Sequence, residues 1–390
     1  MKSGNIPDFF LKIISKYIYY QYFYYFCLVE IENNLIKTLV MKRNLLLIIA
    51  LIAISFPMNL CAQEGPKISG FVQGLYQANL DEDFNLNSNT LRMRRVRMSV
   101  EGKLTKTLSY KIQGDFSRSP MMVDAFVKYK PCDEFAIQVG QFKTPFTLES
   151  PINPVNLEIF DYGESVQKLV GYSDVCGVGG LGRDLGVMVS GDLFRPEGRG
   201  FSLVSYYLGV FNGNGPCATD NNNRKDLVGR LEIHPMLRQL TLSASYYNGM
   251  YLKDELNQGK RDRWSAGAQY NDGDLLIRAE YLNGTTGYRT VTYGDHEGLS
   301  PVYTDEVFYS EGYYAVAGYT FRFGKENIQK LMPVIRYEKF TNDGYPTNYY
   351  TVGINYWPVK SLNFKLDYSL VQPEAGNNSH RIVGILSYKF

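Results

Sequence analysis

The stretch LNFKLDYSL, residues 362–370, puts Leu362, Phe364, Leu366, Tyr368 and Leu370 on one face of an extended chain, with Asn363, Lys365, Asp367 and Ser369 on the other. Side chains alternate sides along a strand, so this pattern predicts a β-strand with one apolar and one polar face. YKIQGDF (110–116), VDAFVKY (123–129) and LLIRAEYLNG (275–284) repeat it, and helical periodicity is scarce. An all-β chain is therefore expected. Both a water-soluble β-sandwich and a membrane-spanning barrel would show such alternation.

Three further features favour the barrel. Aromatic residues make up 14% of the chain, with 32 Tyr and 22 Phe, and many fall near strand ends, where a transmembrane barrel carries its aromatic girdles. The alternating segments have the roughly ten-residue length of a tilted barrel strand. The chain also ends on RIVGILSYKF, with Leu386, Tyr388 and Phe390 on one face. A terminal Phe behind aromatic or apolar residues at every second position resembles the insertion signal of outer-membrane barrels, and Tyr388 and Phe390 are assigned to it. That assignment implies the barrel-assembly machinery as a partner and outer-membrane lipid and lipopolysaccharide as surroundings.

About sixteen alternating segments run from 67–79 to 380–390, among them 90–101, 262–271, 274–284 and 311–321, an even number as single-chain bacterial barrels require. Connections alternate between short ones, such as GKLTK, PMLR and PVK, and long ones at 80–89, 142–183, 212–225, 250–261 and 285–310. Short periplasmic turns opposite long outer loops are expected of such a barrel, and Phe390 then lies at the periplasmic rim.

Ahead of the strands stands MKRNLLLIIALIAISFPMNLCAQEG, which begins at Met41. Lys42 and Arg43, the apolar run Leu45 to Phe56 and the small Ala62 form a secretory signal over 41–62. Residues 1–40 are expected to be an upstream extension from a start codon placed too early. Leu60 before Cys61 is bulky where a lipobox wants a small residue, so a lipoprotein is disfavoured. The barrel domain is assigned to 63–390.

The most unusual strand is LRMRRVRMSVEG (91–102), with four arginines within six positions. The whole chain has 41 basic and 39 acidic residues; without residues 1–62 the balance is 35 against 36, which argues against nucleic acid as a partner. If Val96, Met98 and Val100 face lipid, Arg95, Arg97, Ser99 and Glu101 face the lumen, while Arg92 and Arg94 sit on the other face towards the outer end. Charge at mid-bilayer on the lipid face costs ~2–4 kcal/mol, so Arg95 and Arg97 belong to water. The same alternation places Lys111, Asp115, Asp124, Lys128, Lys130, Arg230, Glu232, Arg278, Glu280, Arg336 and Glu338 inside. Two accounts of these charges stay open: lining an ion path, or pairing across strands to brace the wall.

The connection 142–183 is too long for a structureless link and is expected to fold into the lumen and narrow it, with a lid over the barrel mouth as the alternative. LRMRRVRMSVEGKL, YKIQGDFS, VDAFVKYKP, VGQFKTPFTLES, GRDLGVMVSG, LGVFNGNG, KDLVGRLEIHP and IRAEYLNG, with the terminal Phe, resemble the phosphate-selective porin O/P family of Gram-negative outer membranes. The resemblance implies a sixteen-stranded barrel, a homotrimer, a constricting third loop and basic residues along a path for phosphate or other small anionic or polar solutes. Lys143, with Arg95, Arg97, Lys111, Lys128 and Arg230, is expected on the anion-binding side. Glu149, Glu158 and Asp161 on the same loop oppose them, so a modest anion preference is expected.

Of the mature cysteines, Cys176 and Cys217 lie on adjacent outer loops and Cys132 in a periplasmic turn, so any disulfide is expected between Cys176 and Cys217; three free thiols are the alternative. Catalysis finds little support. His234, His296 and His380 have no triad setting, no HExxH, CxxC or P-loop is present, and GVGGLG at 177–182 lacks a βαβ context. No cofactor or metal is expected. A barrel hydrolase and a non-conducting adhesive barrel are the readings from other classes.

Overall fold

The computed structural model describes residues 65–81, 89–235, 237–252, 258–292 and 302–390, so the upstream extension and the signal peptide lie outside the described residues. The strands in chain order are β1 (Lys67–Asn79), β2 (Asn89–Lys103), β3 (Leu108–Asp115), β4 (Met122–Tyr129), β5 (Ala136–Lys143), β6 (Arg183–Leu193), β7 (Val204–Phe211), β8 (Asp226–Ile233), β9 (Leu240–Leu252), β10 (Gln258–Asn271), β11 (Leu275–Thr292), β12 (Val302–Tyr319), β13 (Phe321–Phe323), β14 (Gln329–Asn342), β15 (Tyr345–Val359), β16 (Leu362–Pro373) and β17 (Ser379–Lys389), with one short helix, α1 (Glu164–Leu169), in the long connection. Sequential strands pair antiparallel, and β1 pairs with both β2 and β17, which closes the sheet. The three-residue β13 pairs with β14 alone and keeps the register of β12, with Gly318 opposite Val334 and Phe321 opposite Leu331. The barrel thus closes with sixteen strands.

Polarity is inverted relative to a soluble protein. Outward residues such as Ile112, Val139, Leu185, Leu208, Leu231 and Leu366 are exposed, whereas Arg97, Gln113, Asp115, Arg278, Glu338 and Asp367 are buried inside. Exposed apolar faces all round are stable only against lipid, because burying a Leu or Val side chain away from water contributes about 1.5–3 kcal/mol.

Two expectations need correction. The connections at 250–261 and 285–310 are largely strand: β10 begins at Gln258, and β11 and β12 pair as far as Thr292 opposite Val302. Thr285, Thr286, Thr304, Asp305 and Glu306 are polar on both faces of this hairpin, so no apolar alternation marks it. Second, β2 bulges. Gln73 faces Arg95, but Gly74 faces Met93, leaving Arg94 without a cross-strand partner. A bulge shifts side-chain parity by one. Arg92, opposite the inward Leu75, therefore shares the lumen face, and Arg94 also reaches the lumen, bonding to residues of the long connection.

The seam ends on Phe390, whose backbone N–H donates to Gly70 O at 3.1 Å and whose carbonyl accepts from Gly70 N at 3.0 Å. The Phe390 ring covers Gly70 so closely that a Cβ there would lie 2.5 Å from its Cζ. Tyr388 and Phe390 are exposed on the outer face, rings stacked at 6.4 Å. Deleting Phe390 removes both seam bonds and this cover. The expected result is less outer-membrane protein that migrates faster unboiled than boiled; unchanged heat-modifiable barrel would refute the role given to the terminus.

Candidate functional site: the lumen and its long connection

The connection between β5 and β6 bonds to inward side chains of most of the wall. Its apolar residues Phe146, Leu157, Ile159, Val166 and Leu169 pack into one buried cluster with wall residues Phe211, Val228, Leu282, Tyr314, Val334 and Phe340. These inward apolar wall positions interrupt the polar lumen face where the connection lies. Phe160 packs separately against Leu75, Val383 and Ile385.

Polar contacts tie down the same segment. The amides of Glu164 and Ser165, opening α1, donate to Glu338 at 2.9 and 2.7 Å, an arrangement favoured because the first N–H groups of a helix lack partners within it. Leu148 N donates to Glu280 at 2.9 Å, Arg230 Nη1 to Thr147 O at 3.0 Å and Asn355 to Glu158 O at 2.6 Å. At Gly163 the approach leaves no room for a side chain: a Cβ would lie 1.6 Å from Arg336 Nη2.

Most inward arginines are matched. Arg97 pairs with Asp115 at 2.9 Å, Arg183 with Asp124 at 2.6 Å and Arg230 with Glu232 at 3.2 Å. Arg263 clamps Asp174 with both terminal nitrogens, at 2.5 and 2.7 Å, and Arg261 bonds Asp226. The acidic residues of the connection are matched too. Glu149 accepts from Arg336 at 2.6 Å and Arg278 at 3.5 Å, Glu158 pairs with Arg278 at 2.8 Å, and Asp161 lies 2.7 Å from Arg94 and 3.5 Å from Arg95.

Lys143 is placed differently from a free lining charge. Its Nζ donates to the backbone of Ser150 and Ile152 and to Tyr162 Oη, so the ammonium braces the start of the connection. Lys111 and Lys128 stand apart from the connection, in separate clefts: Lys111 with Lys67, Lys103 and Glu101, Lys128 with Lys130, Asp192 and Tyr207. The three described cysteines are free thiols. Cys176 is buried with its sulfur 3.8 Å from Arg261, and burial pushes its thiol up to about 11, whereas Cys217 is exposed near Met122 O. The structure thus holds no Cys176–Cys217 bridge.

Reasoning from sequence missed Arg94, Arg261, Arg381 and Asp174. Arg381 was legible, since the outward set Leu386, Tyr388 and Phe390 places it inside by alternation. Arg94 was hidden by the bulge, Arg261 by the unread extension of β10, and Asp174 by the irregular path of the connection.

The sequence matches the family described as phosphate-selective porin O and P over residues 67–383. No curated protein matches the chain. Among solved structures, an anion-selective porin from Comamonas acidovorans is similar at 11% identity and TM-score 0.59, covering 84% of this chain and 99% of that one. OmpF of Salmonella typhi, in complex with daunomycin, is similar at 14% identity and TM-score 0.59, covering 83% and 97%. The trimer form of OmpT from Vibrio cholerae is similar at 12% identity and TM-score 0.54, covering 84% and 99%. With a match that runs from the first wall strand into the last, on a closed barrel that is apolar outside and charged inside, this outer-membrane protein belongs to the phosphate-selective porin O and P family.

Proposed function

We propose that this porin is a passive, non-enzymatic diffusion pore for small hydrophilic solutes, working as a homotrimer with a modest preference for anions. The observation that carries the preference is the charge set where residues 158–164 meet β2 and β17. Arg94 and Arg95 share Asp161, and Arg381 lies 4.4 Å over the Phe160 ring with no carboxylate within ion-pair distance among the described residues. Arg94, Arg95 and Arg381 thus gather near Asp161, with Glu164 and Asp367 also within electrostatic reach of Arg381. Asp161 and Arg95 keep 25% and 11% of their side-chain surface exposed, so mobile ions can sense them.

Two unit charges ~4 Å apart interact by about 1 kcal/mol in water and ~4 kcal/mol at an effective dielectric of 20, so wall charge discriminates where the path is narrow. In a wide aqueous pore, screening over about 8 Å would hide it. The Comamonas relative is described as anion-selective and the Vibrio one as a trimer, which supports both parts of the reading. His234 Nδ1 lies 3.2 Å from both Leu240 O and Thr241 Oγ1, and His380 Nδ1 lies 2.7 Å from Tyr368 Oη; neither ring has a carboxylate within hydrogen-bond distance among the described residues, as a triad would need.

Reversal potentials in a potassium chloride gradient test the preference. Wild-type channels should favour chloride, and Arg95→Glu with Arg381→Glu should lower the chloride-to-potassium ratio by about fivefold or more. Potassium preference in the wild type, or variants that change nothing, would reject it. Vesicle flux without product separates the pore from a barrel hydrolase, and absence of both flux and turnover would indicate adhesion.

A further inference from the structure

At the end of the barrel with the short turns, a cleft of about 310 Å³ opens beneath Val155 and Asn156 of the connection. Its floor sets apolar side chains beside lysines. Half-buried Trp357 faces Lys330 across the β14–β15 pair, and Met332, Leu276 and Val155 line the same space. Phe211, Val228 and Tyr314, by contrast, are packed under the connection. Here an indole is left beside an open cleft.

Charge in the cleft is also unbalanced. Lys330, Lys360 and Lys389 line it, and none has a carboxylate within ion-pair distance among the described residues; Lys389 Nζ donates to Asn156 Oδ1 at 2.6 Å. The two acidic residues present are already matched, Glu158 to Arg278 at 2.8 Å and Asp274 to Arg322 at 2.6 Å. An aromatic plane beside surplus ammonium charge is complementary to a solute with an apolar, planar body and an anionic group. A cleft of this volume, in which an aromatic face meets convergent charged groups, lies within the size range of small-molecule sites.

We propose that this cleft is a binding station for small organic anions of the aromatic carboxylate class, seated with the ring on Trp357 and the carboxylate among Lys330, Lys360 and Lys389. As a station on a solute path, it rests on the diffusion-pore reading. Inorganic anions can use the lysines but gain nothing from the indole, so the cleft should discriminate by body as well as by charge.

The chain has two tryptophans, and Trp264 points outward, so Trp264→Phe leaves Trp357 as the sole reporter. In the folded full chain in detergent, benzoate should change Trp357 fluorescence saturably, at a half-saturating concentration about tenfold below that of acetate or inorganic phosphate. Lys330→Gln with Lys389→Gln should weaken benzoate by about tenfold or more, as two ammonium contacts are lost, while the protein stays heat-modifiable. Equal response to benzoate, acetate and phosphate, no saturation, or indifference to the lysine changes would overturn the proposal. Benzoate added to the short-turn side of bilayer channels should also reduce chloride current. Channels that conduct without that block fail the station alone. Silent channels with intact benzoate titration fail the pore reading, and the titration still decides whether the cleft binds.

Discussion

Glu149→Gln is expected to loosen the connection inside the barrel and to raise and destabilise the single-channel current while the wall stays closed. Glu149 is 1% exposed and is the hub of the contact, accepting from Arg336, Arg278 and the Gly163 amide, the last at 2.8 Å. Removing one member of a buried ion pair costs about 3–5 kcal/mol, because the other charge stays desolvated without its partner. Arg278 keeps Glu158 and Arg336 keeps Glu338 at 3.5 Å, which places the cost towards the lower end. No strand-to-strand backbone bond involves the Glu149 side chain, so heat-modifiable mobility should persist. Limited proteolysis in 146–166 and conductance histograms are the measurements. Wild-type cleavage and wild-type conductance in the variant would show that Glu149 does not hold the connection.

Arg97→Glu is expected to abolish the folded barrel, in contrast to Arg95→Glu two residues away. Arg97 and Asp115 are Cα partners on β2 and β3, 2.9 Å apart at their charged atoms and each 2% exposed. Asp115 also accepts from Ser117 Oγ at 2.7 Å and Val96 N at 3.2 Å, so it cannot turn away without losing those bonds. Reversal replaces an attraction with two facing carboxylates. Loss of the pair costs about 3–5 kcal/mol and like-charge repulsion near 4 Å adds up to ~4 kcal/mol at a dielectric of 20, a sum comparable to a typical domain stability of ~5–15 kcal/mol. Arg95 keeps more contact with solvent and shares Asp161 with Arg94, so its reversal should alter selectivity and spare the fold. The swap Arg97→Asp with Asp115→Arg should restore part of the barrel. Unboiled gels of outer-membrane fractions read all three, and abundant heat-modifiable Arg97→Glu protein would defeat the argument.

The pair Arg95 and Arg97 illustrates what sequence could and could not say. Both fall inside by alternation, as expected from Val96, Met98 and Val100 outside. Their burial differs because of what lies opposite: Asp115 across a strand pair for Arg97, and Asp161 on the connection for Arg95. Neither partner can be read from local pattern, since each depends on register or on the path of a segment distant in sequence.

Lys143 carries the same lesson. Its type and place suggest a lumen charge, yet its ammonium is spent on the backbone of Ser150 and Ile152. A chain that turns back on itself within ten residues offers carbonyl oxygens closer than the lumen water, and a turn of that kind has no periodic signature.

By itself the sequence determined the strand count, the closed antiparallel order, the apolar outer face and a last strand that ends on outward aromatic residues. These follow from the pleat, which alternates side chains residue by residue, and from lipid, which demands apolar groups on every outward position. Only the tertiary structure decided that Arg94 turns inward, that Glu149, Glu158 and Asp161 neutralise wall arginines, that Cys176 and Cys217 remain thiols and that β11 and β12 extend past the apolar band. A bulge resets parity, water accepts polar residues on both faces of a strand, and buried ion pairs are selected by distances across the lumen. Each of those is a long-range or solvent-set choice that local alternation does not encode.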